Sequence, residues 1–156
     1  MSFTKTSTKM TPHLTFFIDT NVLAYAYDRS EPDKQALALA VLDQLVGMSA
    51  LSTQVLGELF IVLTRKLHKP FPPKTARERV ENYLRAWTVL PVTPMIVQEA
   101  IRGTITHGFS YWDAQIWATA RLNQIPIVLS EDFAHGQRIE GMHFLNPFLP
   151  GVELPL

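Results

Sequence analysis

The stretch Leu14-Thr15-Phe16-Phe17-Ile18-Asp19-Thr20-Asn21-Val22-Leu23 decides how this chain folds. Leu14 to Ile18 form an aromatic and aliphatic run without polar alternation, the mark of a strand buried on both faces of a parallel sheet. Asp19 closes that run and opens Thr20 to Leu23, so it stands at a strand-to-helix junction. In a parallel α/β sheet such junctions converge on a crevice at the carboxyl ends of the strands.

Working outward, the remaining chain alternates strand and helix. A helix is expected over 33–46, with Pro32 just ahead of it and Gly47 behind, and a short strand near 48–52. The next helix, 53–68, is stopped by Pro70 and the Pro72-Pro73 pair. A helix over 74–87 and a strand over 88–92 follow. Pro94 opens a helix to about 107, with Gly108 as its stop, and another runs over 110–124. Residues 126–130 read as a buried strand and 142–145 as a last short one before Pro147. This order argues an α/β fold with a mostly parallel sheet and helices on both faces. The polar, threonine- and lysine-rich segment 1–13 is expected to be a loose extension, and 14–150 to form one domain.

Composition narrows the chemistry. A chain of 156 residues, 47% apolar, is long enough to bury a conventional core. It has no cysteine, which removes disulfides, thiolate zinc sites, iron–sulfur clusters and cysteine nucleophiles together. No apolar run is long enough to span a membrane, and 1–13 lacks the apolar centre of a secretory signal, so the expected location is the cytoplasm. Net charge is zero, with 14 basic and 14 acidic side chains, which gives no sign of bulk nucleic-acid affinity. The distribution is less even: Arg65, Lys66, Lys69, Lys74, Arg77, Arg79 and Arg85 face only Glu78 and Glu81 in their stretch. That stretch is either a solvated helical hairpin or a rim that tracks phosphates.

Four acids stand where strands end or helices begin or pass: Asp19, Glu58, Asp113 and Asp132. Each has an ordinary alternative. Asp19 can be a helix cap, Asp113 the acid of a capping box in Ser110-Tyr111-Trp112-Asp113, and Asp132 a turn residue. Glu58 is harder to explain away. Its helical neighbours are Gln54, Val55, Ile61 and Val62, opposite the apolar stripe of Leu56, Leu59, Phe60, Leu63 and Leu67, and no Lys or Arg stands three or four residues off. Asp113 likewise has Ile116, Trp117 and Ala120 at those spacings. Acids on apolar helical faces need partners from elsewhere, and converging carboxylates repel unless a cation joins them.

Phe17 to Leu23, Glu58 in a helix, Tyr111-Trp112-Asp113-Ala114 and Leu129-Ser130-Glu131-Asp132-Phe133, in this order, resemble the PIN-domain nucleases, and within them VapC-type toxins of toxin–antitoxin pairs. The resemblance runs from about Leu14 to Phe148. It implies a three-layer α/β/α domain around a mostly parallel sheet of four or five strands. It also implies Mg²⁺ or Mn²⁺ held by the acids, with Asp19, Glu58 and Asp113 in the three central positions. The fourth falls in Ser130-Glu131-Asp132, where Asp132 matches by spacing and Glu131 is the alternative. Thr20 and Asn21 match a polar pair that orients the acids from behind. The implied activity is hydrolysis of RNA phosphodiester bonds, with an antitoxin protein as partner, a homodimer as assembly, and Arg65, Lys66 and Lys69 as candidate RNA contacts.

Two other readings remain open on the residues alone. A metal-dependent phosphatase would want a second Asp two residues after the first, where Asn21 stands. A catalytically silent module that binds RNA or a partner would not need all four acids filled. The seven glycines make no phosphate-cradling loop, and the five histidines show no His-x-x-x-His spacing for zinc. Trp112 and Trp117 read as core or rim packing, with Trp112, beside Asp113, also placed to stack on a base.

Overall fold

A computed structural model describes residues 13–156. Apart from His13, the expected extension lies outside the described residues. Strand β1 (Phe16–Ile18) runs through the middle of the sheet, each residue fully buried, as its unbroken apolar run requires. Its parallel neighbours are β2 (Ser49–Ser52) and β4 (Ile127–Leu129). Outside them, also parallel, lie β3 (Thr88–Leu90) beside β2 and β6 (Met142–Leu145) beside β4. The parallel part thus has the five strands at the upper end of the expectation. A sixth, the two-residue β5 (Arg138–Ile139), pairs antiparallel with β6 and completes the order β3-β2-β1-β4-β6-β5. Its turn needs positive φ at Glu140 (47°) and Gly141 (83°), the conformation of a tight hairpin.

The helices are α1 (Thr20–Tyr25), α2 (Pro32–Leu45), α3 (Thr53–Ile61), α4 (Pro73–Ala86), α5 (Pro94–His107) and α6 (Tyr111–Leu122). Right-handed crossovers put α1 to α4 on one face of the sheet and α5 and α6 on the other, and the close helix contacts fall into those two groups. Gly108 ends α5 at φ 72°, the left-handed stop expected of it. Between α5 and α6, Gly103 leaves room for the buried Trp117: a Cβ there would stand 2.8 Å from Trp117 Cζ3.

Two departures from the sequence reading bear on the site. The helix expected over 53–68 is α-helical only to Ile61, then widens into a π-helical turn, Val62–Lys66, in which Leu67 N–H reaches Val62 O at 3.2 Å. The wider turn keeps Leu63 in the core, where its carbonyl accepts from Phe71 N–H at 2.8 Å, while Arg65 and Lys66 stay exposed. Phe60, assigned to the buried stripe, is 37% exposed beside α4, and Val55 takes the buried place instead.

Candidate active site

The chain leaves β1 toward β2 and β3 on one side and returns on the other to β4, so the strand order reverses between β1 and β4. At such a switch point the loops after the two strands part and leave a crevice. Asp19 follows β1 and Ser130-Glu131-Asp132 follows β4, with Ile18 and Leu129 in register. Glu58 reaches the same place from α3, which is capped by Ser52 at the end of β2, its hydroxyl accepting from Val55 N–H at 3.2 Å. Asp113 lies in the first turn of α6, where Ser110 accepts its N–H at 3.3 Å, the first half of the expected capping box.

Asp19 is 4% exposed and accepts on both oxygens. Its Oδ1 takes Thr20 N–H at 2.7 Å, and its Oδ2 takes the Ser130 hydroxyl at 2.7 Å and Asn21 Nδ2 at 3.4 Å. Burial pushes its pKa from the usual 3.8 to about 7, against the Ser130 and Thr20 hydrogen bonds and with the charges of Asp132 and Glu58 adding to it. Asp113 is raised in the same way, by burial first, with Ser110 opposing and Asp132 and Glu58 reinforcing. Asp19 and Asp113 therefore each lie close enough to Asp132 and Glu58 to feel their charge.

The partners of Glu58 turn out to be neutral, one from α1 and one from its own helix face. Thr20 Oγ1 donates to its Oε2 at 2.6 Å and Gln54 Nε2 to its Oε1 at 2.9 Å. Asn21 Nδ2 ties the two strand ends together, donating to Ser130 Oγ at 3.2 Å and Asp132 Oδ2 at 3.1 Å, while its Oδ1 accepts Glu131 N–H at 3.2 Å. The two candidates for the fourth acid make different contacts. Glu131 forms an ion pair with Lys34 at 3.3 Å and accepts the Tyr25 hydroxyl at 2.7 Å, whereas Asp132 accepts from Asn21; both line the same crevice. Of the basic candidates, Lys66 lines the crevice of about 430 Å³ together with Thr20, Asn21, Glu58 and Asp132. Lys69 borders a neighbouring depression, and Arg65, though exposed, lines neither.

Sequence reasoning missed Gln54, Gln115, Tyr25 and Lys34. Gln54 carried a signal, standing four residues before Glu58 on one helix face. Gln115 carried another, as a polar side chain only 5% exposed inside the apolar run of α6. The Lys34–Glu131 pair spans 97 residues and left no local trace.

A family model for the PIN domain matches residues 16–137, which include all four acids. The chain belongs to the PIN-domain family. Its fold is similar to that of VapC20 from Mycobacterium tuberculosis, a sarcin–ricin loop cleaving toxin, with 20% identity over 73% of this chain and 87% of that one and a TM-score of 0.60. It is similar to a toxin–antitoxin complex from Klebsiella pneumoniae, with 19% identity, 86% and 98% coverage and a TM-score of 0.64. FitAcB from Neisseria gonorrhoeae gives 23% identity, 86% and 99% coverage and a TM-score of 0.62. Comparison with curated proteins returns no match.

PIN-domain nucleases are associated with divalent cations, and the donor chemistry of this chain fits one. The gathered acids offer only oxygen atoms, which suits a hard cation, and among the described residues none of the four forms an ion pair with Lys, Arg or His. Also among the described residues, no three acidic or histidine side chains close on a single point as they stand.

Proposed function

We propose that this PIN-domain chain is a metal-dependent ribonuclease that hydrolyses RNA phosphodiester bonds and acts as the toxin of a toxin–antitoxin pair in the cytoplasm. The observation that carries the reading is the gathering of Asp19, Glu58, Asp113 and Asp132 at the β1–β4 switch point with neutral hydrogen-bond donors and, among the described residues, no ion pair to any of the four. Mg²⁺ or Mn²⁺ held by these acids would supply a bound water of lowered pKa and neutralise charge on the scissile phosphate.

The chain's own groups prepare that chemistry. Ser130 and Thr20 fix both oxygens of Asp19, and Thr20 and Gln54 fix both oxygens of Glu58, so neither carboxylate must reorganise as charge develops. Asn21 holds Asp132 where it can position the attacking water. Lys66 faces the crevice and gives the entering phosphate backbone a cation. Arg65 and Lys69, exposed just beside it, extend that path. The resemblance in fold to a toxin–antitoxin complex supports an antitoxin partner, and the exposed apolar residues Met95, Ile101 and Ile105 along α5 support pairing of two copies.

The test is end-mapping of total bacterial RNA incubated with Mn²⁺ and either the wild type or Asp113→Asn from identical preparations. Discrete new ends, made by the wild type alone and abolished by EDTA, are expected. Identical profiles from two folded proteins, with no Mn²⁺-dependent rise in thermal stability, would replace the enzyme by a binding module.

A further inference from the structure

Beside the acidic crevice lies a second groove of about 560 Å³, and Glu58 lines both. Its other walls include Gly57, Ile61, Val92 and Trp112, and no Lys or Arg lines it. Trp112, one residue before Asp113, is 62% exposed. Its position is nonetheless fixed. The Tyr111 ring meets it edge-on with centroids 5.1 Å apart, and its carbonyl accepts from Gln54 Nε2 at 3.2 Å. That same nitrogen donates to Glu58 Oε1 at 2.9 Å, so one amide links an acid of the cluster to the backbone that carries the indole.

The groove floor is spoken for. Gln54 Oε1 accepts from Gln115 Nε2 at 2.8 Å, and Gln115 Oε1 accepts from the Tyr111 hydroxyl at 2.7 Å. With both Gln54 donors directed at Glu58 and Trp112, its amide has nothing left with which to read a base edge. A flat aromatic face, aliphatic walls and no cation suit a planar uncharged group rather than a phosphate. In a nucleotide the base sits beside its own phosphate, as Trp112 sits beside Asp113.

We propose that Trp112 is the stacking platform for a nucleobase flanking the scissile phosphate of single-stranded RNA, held in register with Glu58 by Gln54. The proposal rests on the ribonuclease reading above and adds a base subsite to it. Because the amides are tied down, the subsite selects by stacking strength: purines over pyrimidines, with little distinction between adenine and guanine.

The probes are a short fluorescein-labelled oligoadenylate and a series carrying one abasic nucleotide at successive positions. Binding is followed by anisotropy in Ca²⁺, and cleavage kinetics are measured on the RNA found by end-mapping. Trp112→Ala is expected to weaken binding and kcat/KM by about ten- to a hundredfold, with Trp112→Phe retaining most of both. One abasic position should reproduce that loss in the wild type and add nothing in Trp112→Ala. Since the indole is exposed, the variant should melt at the wild-type temperature. Equal binding and cleavage by Trp112→Ala, or an abasic penalty unchanged in that variant, would overturn the subsite and leave the ribonuclease standing. Normal action on RNA with lost binding of a protein inhibitor would assign the face to that protein instead. A wild type that neither binds the oligoadenylate nor cuts any RNA would remove both readings.

Discussion

Asp19→Asn should make this protein more stable at pH 8 and less stable, by the amide's own cost of about 1–3 kcal/mol, at pH 4. Below the usual carboxylate pKa of 3.8, Asp19 is protonated in the folded and unfolded chain alike and contributes no difference. As pH rises from there to about 7 the unfolded chain ionises while the folded one holds its proton, so this group draws the equilibrium toward unfolding. Above about 7 the penalty stays constant. The interval from 3.8 to about 7, at about 1.4 kcal/mol per pH unit, sets a ceiling of about 4 kcal/mol.

The asparagine does not recover all of it. Ser130 Oγ and Asn21 Nδ2 both donate to Oδ2, and an amide nitrogen at that position opposes them, at a cost of about 1–3 kcal/mol. The expected net gain at pH 8 is about 1–3 kcal/mol, read at roughly 2–4 °C of melting temperature per kcal/mol for a chain of this size. The assay is thermal unfolding of both proteins in EDTA from pH 4 to 8, where the difference between them cancels the acids they share. Adding Mn²⁺ at pH 8 should stabilise the wild type more than the variant, because a cation favours the ionised Asp19. A gap between the two proteins that is the same at pH 4 and pH 8 would refute the buried, proton-holding Asp19.

Gly103→Ala should destabilise the fold by about 1–3 kcal/mol, since its Cβ meets the buried Trp117 ring at 2.8 Å and the ring has no solvent to move into; urea unfolding reads this, and a wild-type midpoint would mean that α5 and α6 pack less tightly than described. Lys66→Ala should lower RNA affinity and reduce the slope of log K against log salt by about 0.7, the share of one phosphate contact on a single strand. An unchanged slope would take Lys66 off the RNA path.

The parts legible in the sequence are those fixed by neighbours in the chain. The run Leu14 to Ile18 followed by Asp19 reads as a central strand that ends at a crevice, and its Phe16, Phe17 and Ile18 are fully buried. Pro94 and Gly108 bracket α5 because each acts on its own backbone, one by fixing φ and the other by tolerating a positive one. Ser110 and Asp113 are three residues apart, so their hydrogen bond is also local. The two-residue β5 is too short to show a period, and the π-helical turn goes with a contact between Leu63 and Phe71 that only the folded chain makes.

The arrangement around the acids was legible only in part, for a physical reason. Which residues carry carboxylates is a matter of sequence, but which way each carboxylate turns is decided by donors that arrive from other elements. Thr20 meets Glu58 across 38 residues and Asn21 meets Asp132 across 111. Glu131 and Asp132 are adjacent and chemically alike, so no local rule separates them. Lys34 and Tyr25 hold Glu131, while the Asn21 amide holds the more exposed Asp132, so the two acids of the same crevice face different partners. The neutrality of the inner donors follows from the same logic. A lysine in place of Asn21 would pair with Asp19 and Asp132 and cancel their charge. An amide orients the acids without cancelling them.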